Sequence, residues 1–185
     1  MKKIFLSIVM AFFAITAFAQ DETSQIRIPS GYQGFAEVNS CWHFDKNMPT
    51  TVQLSTTHGF YFNGHIYAGI GVGWEFNNSY FLMPFYANVR YVFLNKTAVS
   101  PLVSMRLGTF YSSKKMGTYG DLALGVRFAS KRDFALSVMV VGTYYDKLAY
   151  KYYDQYQDAY GNWHTEYVET GISPSSISLR VGIEW

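Results

Sequence analysis

The last ten residues, SISLRVGIEW, carry the pattern that most constrains this chain. Ile177, Leu179, Val181, Ile183 and Trp185 fall on one parity, and Ser178, Arg180, Gly182 and Glu184 on the other. Side chains of a strand point alternately to opposite faces, so this segment reads as a strand with one apolar and one polar side. The same period of two recurs upstream. In HIYAGIGVGWEF, Ile66, Ala68, Ile70, Val72, Trp74 and Phe76 oppose Tyr67, Gly69, Gly71, Gly73 and Glu75. In FLMPFYANVRYVF, the face of Phe81, Met83, Phe85, Ala87, Val89, Tyr91 and Phe93 opposes Tyr86, Asn88 and Arg90. VSPLVSMRLG sets Val99, Val103, Met105 and Leu107 against Ser100, Ser104, Arg106 and Gly108. DLALGVRF sets Leu122, Leu124, Val126 and Phe128 against Asp121, Ala123, Gly125 and Arg127.

The chain's start says where these strands go. Lys2 and Lys3 precede an apolar run from Ile4 to Phe18, and Ala17-Phe18-Ala19 is a small-x-small cleavage site. That is the layout of a secretory signal peptide over residues 1–19. The run is shorter than the ~20 residues a spanning helix needs, and no second long apolar run follows. Removing Lys2 and Lys3 from the 15 basic residues leaves 13 against 13 acidic ones, so no nucleic-acid partner is indicated. Cys41 is the single cysteine and forms no internal disulfide; it reads as a small filler near a strand end.

An exported chain with 16 Tyr, 15 Phe, 4 Trp and only 15% charged residues is either a soluble sandwich or a membrane barrel. Alternation alone does not separate them. The polar face does: it is rich in Gly, Ser and Arg, which suit a narrow curved interior. The apolar face ends repeatedly in aromatics (Trp42, Trp74, Phe76, Phe81, Phe93, Phe128 and Trp185), as the girdles of transmembrane barrels do. We expect an all-β fold, an eight-stranded antiparallel up-and-down transmembrane β-barrel, with strands near 31–43, 50–62, 65–76, 79–94, 97–111, 117–130, 133–150 and 171–185. Residues 20–30 read as a periplasmic leader, and 31–185 as the barrel domain. Short inner turns are expected at Asn63–Gly64, Asn95–Lys96 and Ser130–Arg132; outer connections at 44–49, 77–78, 112–116 and a long one near 151–170.

Parity places Glu37, Glu75, Arg90, Arg106, Asp121, Arg127, Arg180 and Glu184 inside, four charges of each sign. Arg90, Arg127, Arg180 and Glu184 are expected toward the periplasmic end, Glu37 and Arg106 at mid-height, Glu75 and Asp121 nearer the top. An eight-stranded barrel is just wide enough for side chains to fill, so a salt-bridged plug is expected, with a narrow polar channel as the alternative. The histidines, His43, His58, His65 and His164, show no nucleophile–base or metal-ligand spacing. No catalytic, cofactor-binding or metal residue is assigned, and a lipid-modifying enzyme ranks third. The long loop holds Tyr153, Tyr156, Tyr160, Trp163 and Tyr167 around a hairpin tip at Ala159–Asn162. Such aromatic density offers contact area at low entropic cost, a surface for an extracellular protein or glycan ligand. Strands seven and eight are expected to extend as a ribbon, with Tyr144, Tyr145 and Tyr150 in the outer girdle.

The signal peptide, the hairpin GFYFNGHIYAGIGVGWEF, the eight alternating segments and the closing LRVGIEW resemble the small outer-membrane β-barrel proteins of Gram-negative bacteria. The style is similar to uncharacterised barrels common in the Bacteroidetes. The resemblance implies a monomer in outer-membrane lipid. It also implies that Leu179, Val181, Ile183 and Trp185 form the insertion signal read by the barrel-assembly machinery.

Overall fold

The computed structural model describes residues 30–44, 50–76, 81–93, 98–112, 115–129, 134–146, 148–157, 163–172 and 175–185. Every regular element among them is a strand. They are β1 (Gly31–His43), β2 (Thr51–Phe62), β3 (Ile66–Phe76), β4 (Phe81–Val92), β5 (Val99–Ser112), β6 (Lys115–Ala129), β7 (Ala135–Asp146), β8 (Leu148–Gln157), β9 (Trp163–Ile172) and β10 (Ser175–Glu184). Eight of them close into an antiparallel barrel in the order β1-β10-β7-β6-β5-β4-β3-β2. Closure leaves no open edge, which matters in a solvent without hydrogen-bond partners.

The alternation of the sequence becomes an inside and an outside. Along β10 the burial alternates at every residue, with Ile177, Leu179, Val181, Ile183 and Trp185 outward and Arg180 and Glu184 inward. Along β3 the apolar set of Ile66, Ile70, Trp74 and Phe76 faces out. Aliphatic side chains such as Val38, Leu54, Ile70, Val89, Met105, Leu122 and Leu179 cover the middle of the wall. Aromatics ring it at both ends. Tyr32, Phe60, Phe62, Tyr91, Phe93, Phe128, Phe134 and Trp185 mark one end, and Trp42, Phe44, Trp74, Phe76, Phe81, Tyr111 and Tyr144 the other. An apolar belt between two aromatic rings is the exterior that a lipid bilayer selects.

The first ring lies at the turn end, where β2 and β3 meet through Asn63 and Gly64. Both have positive φ, 51° and 74°, and with His65 they make a three-residue connection between the paired Phe62 and Ile66. Among the described residues the wall has one local break in pairing. Pro84 has no N–H, and pairing of β3 with β4 skips its level, resuming from Val72↔Phe85 to Glu75↔Leu82.

At the opposite end, β8 and β9 form a separate two-stranded antiparallel sheet between β7 and β10. This differs from the expectation of two barrel strands simply extended. The seventh barrel strand ends at Asp146, so Tyr150 belongs to the ribbon and not to the wall. The signal peptide, residues 20–29 of the leader, the turns at 95–96 and 130–132, the connections at 45–49, 77–78 and 113–114, and the tip with Tyr160 lie outside the described residues.

Candidate functional site

The barrel interior holds the densest constellation of polar chemistry, and it is layered. At the turn end Arg127 donates two hydrogen bonds to Glu184, at 2.8 and 2.9 Å, a bidentate pair spanning β6 and β10. Beside it lies an apolar plug of Phe35, Tyr61, Tyr67, Val92, Leu102 and Met139, with the Phe35 and Tyr67 rings 4.8 Å apart.

The next layer centres on Glu37. Its carboxylate accepts from Arg90 at 2.6 Å through one oxygen and from Arg106 through the other. Arg90 also donates to Asn88 (3.0 Å), which donates in turn to Ser104 (2.8 Å). The Arg90 guanidinium sits 3.9 Å from the Phe35 ring centroid, and that of Arg106 4.5 Å from Tyr86. Flat, weakly hydrated guanidinium groups can stack on rings and hold carboxylates at once, which lysines do poorly.

Arg106 approaches Asp121 at 4.0 Å and so links to a third layer. There Arg180 donates to Asp121 at 2.5 Å and to Asn39 at 3.0 Å, while the Tyr119 hydroxyl donates to Asp121. Asn39 donates to Gln53 (2.7 Å), and Gln53 to Glu75 (3.5 Å). Glu75 heads the last layer, accepting from Thr51 (2.8 Å) and from the Tyr145 hydroxyl, with His43 Nε2 at 3.7 Å. Members of this chain come from all eight barrel strands. Buried charges are costly unless paired and hydrogen-bonded; Glu37, Asp121 and Glu184 are matched by arginines, and Glu75 is held by hydroxyl and amide donors.

All eight charged residues assigned inward by parity are buried. Their heights differ from the expectation in two cases. Arg180 does not sit with Arg127 and Glu184 but reaches the Asp121 layer, and Arg90 reaches Glu37. Strands of a barrel are staggered, so distance from a strand end does not equal height, and an arginine spans the remaining gap. Tyr145 is a second correction. It was expected in the girdle, yet it points inward to Glu75, while Tyr144 faces out. Asn39, Gln53, Thr51 and Tyr119 complete the network and were not singled out from sequence, although strand parity marks each of them as inward.

The other sequence candidates are dispersed. Cys41 is buried inside. His65 packs at the turn end, with Nδ1 2.7 Å from the Val92 carbonyl oxygen. His58 faces outward. Leu179, Val181, Ile183 and Trp185 line the outer wall. In the ribbon, the register sets Tyr153 opposite Tyr167, Tyr156 opposite His164 and Gln157 opposite Trp163.

This architecture has solved counterparts. Neisserial surface protein A superposes with a TM-score of 0.62 at 14% identity, over 84% of this chain and 96% of that one. The chain has the fold of the small outer-membrane barrels. The outer membrane enzyme PagL matches with a TM-score of 0.51 at 13% identity, covering 81% of this chain and 97% of that chain. The N-terminal β-barrel domain of Pseudomonas aeruginosa OprF matches at 0.50 and 12% identity, covering 85% and 99%. No protein-family model matches the sequence, and no curated protein matches it. The likeness is one of backbone architecture at low identity.

Proposed function

We propose that this chain is an integral outer-membrane barrel whose interior is a closed structural core and whose working surface is the β8–β9 ribbon. The observation that carries this reading is the way the interior is filled. Four arginines and four carboxylates are buried together with packed rings of Phe35, Tyr67, Tyr86, Tyr119 and Tyr145. A lumen so occupied leaves recognition to what stands outside it. The apolar belt and paired aromatic rings support residence in a bilayer, and the fold shared with Neisserial surface protein A supports the outer membrane as that bilayer. Kinship with barrels common in the Bacteroidetes rests on the style of the sequence.

The ribbon suits a surface-interaction role. Among the described residues neither β8 nor β9 pairs with a further strand, so each presents a backbone edge on which a partner strand can be added. Its sequence places tyrosines at positions 150, 152, 153, 156 and 167. The expected ligand is an extracellular protein segment or glycan. Replacing residues 153–166 by a short Gly-Ser turn tests the reading. The variant should reach the outer membrane folded and lose binding to extracellular-protein and glycan arrays that the parent binds. Loss of the folded barrel instead would make the ribbon a structural lid and overturn the proposal.

A further inference from the structure

The outer wall carries one polar anomaly. Among the barrel-strand residues whose side chains are described, His58 is the only Asp, Glu, Lys, Arg or His that faces outward, apart from Asp146 at the far end of β7. An ionisable group on a lipid-facing wall is costly, and such groups are retained where they act. His58 is also held in place. Its Nδ1 lies 2.7 Å from the Tyr32 hydroxyl and its Nε2 3.0 Å from Thr56 Oγ1. Tyr32 stacks beside it with ring centroids 6.0 Å apart, and the Trp185 ring meets it edge-on at 6.1 Å.

The position is specific. Tyr32 and Trp185 belong to the aromatic ring at the turn end, the level at which such rings meet lipid headgroups. On β1 the residue opposite Thr56 is the small, exposed Ala36, while the one opposite His58, Gly34, lies under the Trp185 indole, so the wall is low beside Thr56 and closed by the indole beside His58. The indole N–H of Trp185 adds a donor at its rim. No acidic side chain of β1, β2, β3 or β10 faces this patch, Glu37, Glu75 and Glu184 being buried inside; the nearby anion is the main-chain carboxylate of Trp185, which accepts from the Gly34 N–H at 3.0 Å.

We propose that Tyr32, Thr56 and His58 form a binding site for the phosphodiester of a phospholipid headgroup. In the imidazolium form both ring N–H groups donate, one to the Tyr32 oxygen and one to Thr56 Oγ1. Each hydroxyl then has its own hydrogen left to donate outward, to anionic phosphate oxygens. The two hydroxyls present their hydrogens to the phosphate at the girdle, and the acyl chains run from there toward the middle of the wall, along Ile70 and Leu54.

The test is native mass spectrometry of the full chain extracted from membranes into detergent, with phosphatidylglycerol, diacylglycerol or inorganic phosphate added. One phosphatidylglycerol should be retained per chain. The apolar variant Tyr32→Phe/Thr56→Val/His58→Leu should weaken that binding by about tenfold or more, since tenfold corresponds to a single good polar contact. Thr109→Val, on the wall away from the site, should bind as the parent does. Tyr32→Phe and Thr56→Val alone, each removing one hydroxyl, should each weaken it and serve if the triple variant does not fold. Equal retention by parent and variants overturns the site. So does equally tight diacylglycerol, which removes the phosphate from the argument, or equally tight inorganic phosphate, which removes the lipid. A dimer that dissociates in the triple variant would assign the patch to a second copy of the chain and overturn the proposal as well.

Discussion

Gly34 and Trp185 hold the seam of the barrel shut. Their backbones exchange two hydrogen bonds, Gly34 N–H to the Trp185 carbonyl at 3.0 Å and Trp185 N–H to the Gly34 carbonyl at 3.1 Å. The indole lies over the glycine, so that a Cβ at position 34 would fall 2.7 Å from two of its ring carbons. This gives the terminal aromatic a structural reason: it covers the junction where the first strand meets the last. Gly34→Ala should displace the indole, and Trp185→Ala should remove it. Each is expected to cost about 1–2 kcal/mol, the scale of a partly buried aromatic contact. Unfolding in lipid vesicles followed by tryptophan fluorescence measures both; a stability unchanged in Trp185→Ala would remove the clasp from the argument.

The same residue is expected to serve as an address. Ile183, Val181 and Leu179 continue its outward row along β10. Deleting Trp185 should deplete the chain from outer-membrane fractions. The clasp and the address separate in this experiment: Trp185→Phe should restore membrane levels, because an aromatic end remains, while restoring only part of the lost stability. Normal amounts of folded deletion variant would rule out the signal role.

Glu37 is the charge on which most depends, because it neutralises both Arg90 and Arg106. Glu37→Gln should cost about 3–5 kcal/mol, since it leaves buried cations uncompensated. Arg127 and Glu184 offer the contrast. They pair with each other at the turn end. Either single substitution, Arg127→Met or Glu184→Leu, should destabilise, and the double variant should recover most of the loss. Urea midpoints of the four proteins form the cycle; additive losses would mean that the two groups act independently.

Much of this was readable from alternation alone. The parity of Leu122 and Asp121, or of Val181 and Arg180, tells inside from outside because the strand period is two and one face meets lipid. Height was not readable. Arg180 was expected toward the periplasmic end with Arg127 and Glu184, yet it serves Asp121, because the stagger between strands is a property of the closed sheet and appears in no single segment. Tyr145 was misplaced because an inward tyrosine and a girdle tyrosine look alike beside a loop; only the position of Glu75 across the lumen distinguishes them. His58 poses a related difficulty to a reading from sequence. Its parity joins Phe60 and Phe62, but its polarity argues for the lumen, and parity prevails because Thr56 and Tyr32 satisfy it on the wall.

Leu122 tests the outward assignment directly. It is exposed on the wall next to buried Asp121 and Ala123. Leu122→Arg should cost about 2–4 kcal/mol in a bilayer, whereas Phe128→Arg, in the ring at the turn end, should cost about 0–1 kcal/mol of charge penalty in addition to its lost aromatic contact. Equal penalties at the two positions would contradict the placement of the apolar belt.

Ion conductance decides between a core and a pore. The chain refolded in a planar bilayer should be silent at moderate voltage, since Glu37, Arg90, Arg106, Asp121 and Arg180 bridge the lumen and the rings of Tyr86, Tyr119 and Tyr145 pack at that level. The double variant Glu37→Ser/Arg106→Ser removes two bulky members of opposite charge, so the net charge of the lumen is unchanged. It should lower stability by several kcal/mol, because Arg90 loses its carboxylate as well. If it remains folded it should open brief, small conductance steps, as water enters the space. Discrete, reproducible steps from the unmodified chain would give the opposite answer. The charged chain would then be an open path, and Arg106→Ser alone should shift its preference toward cations.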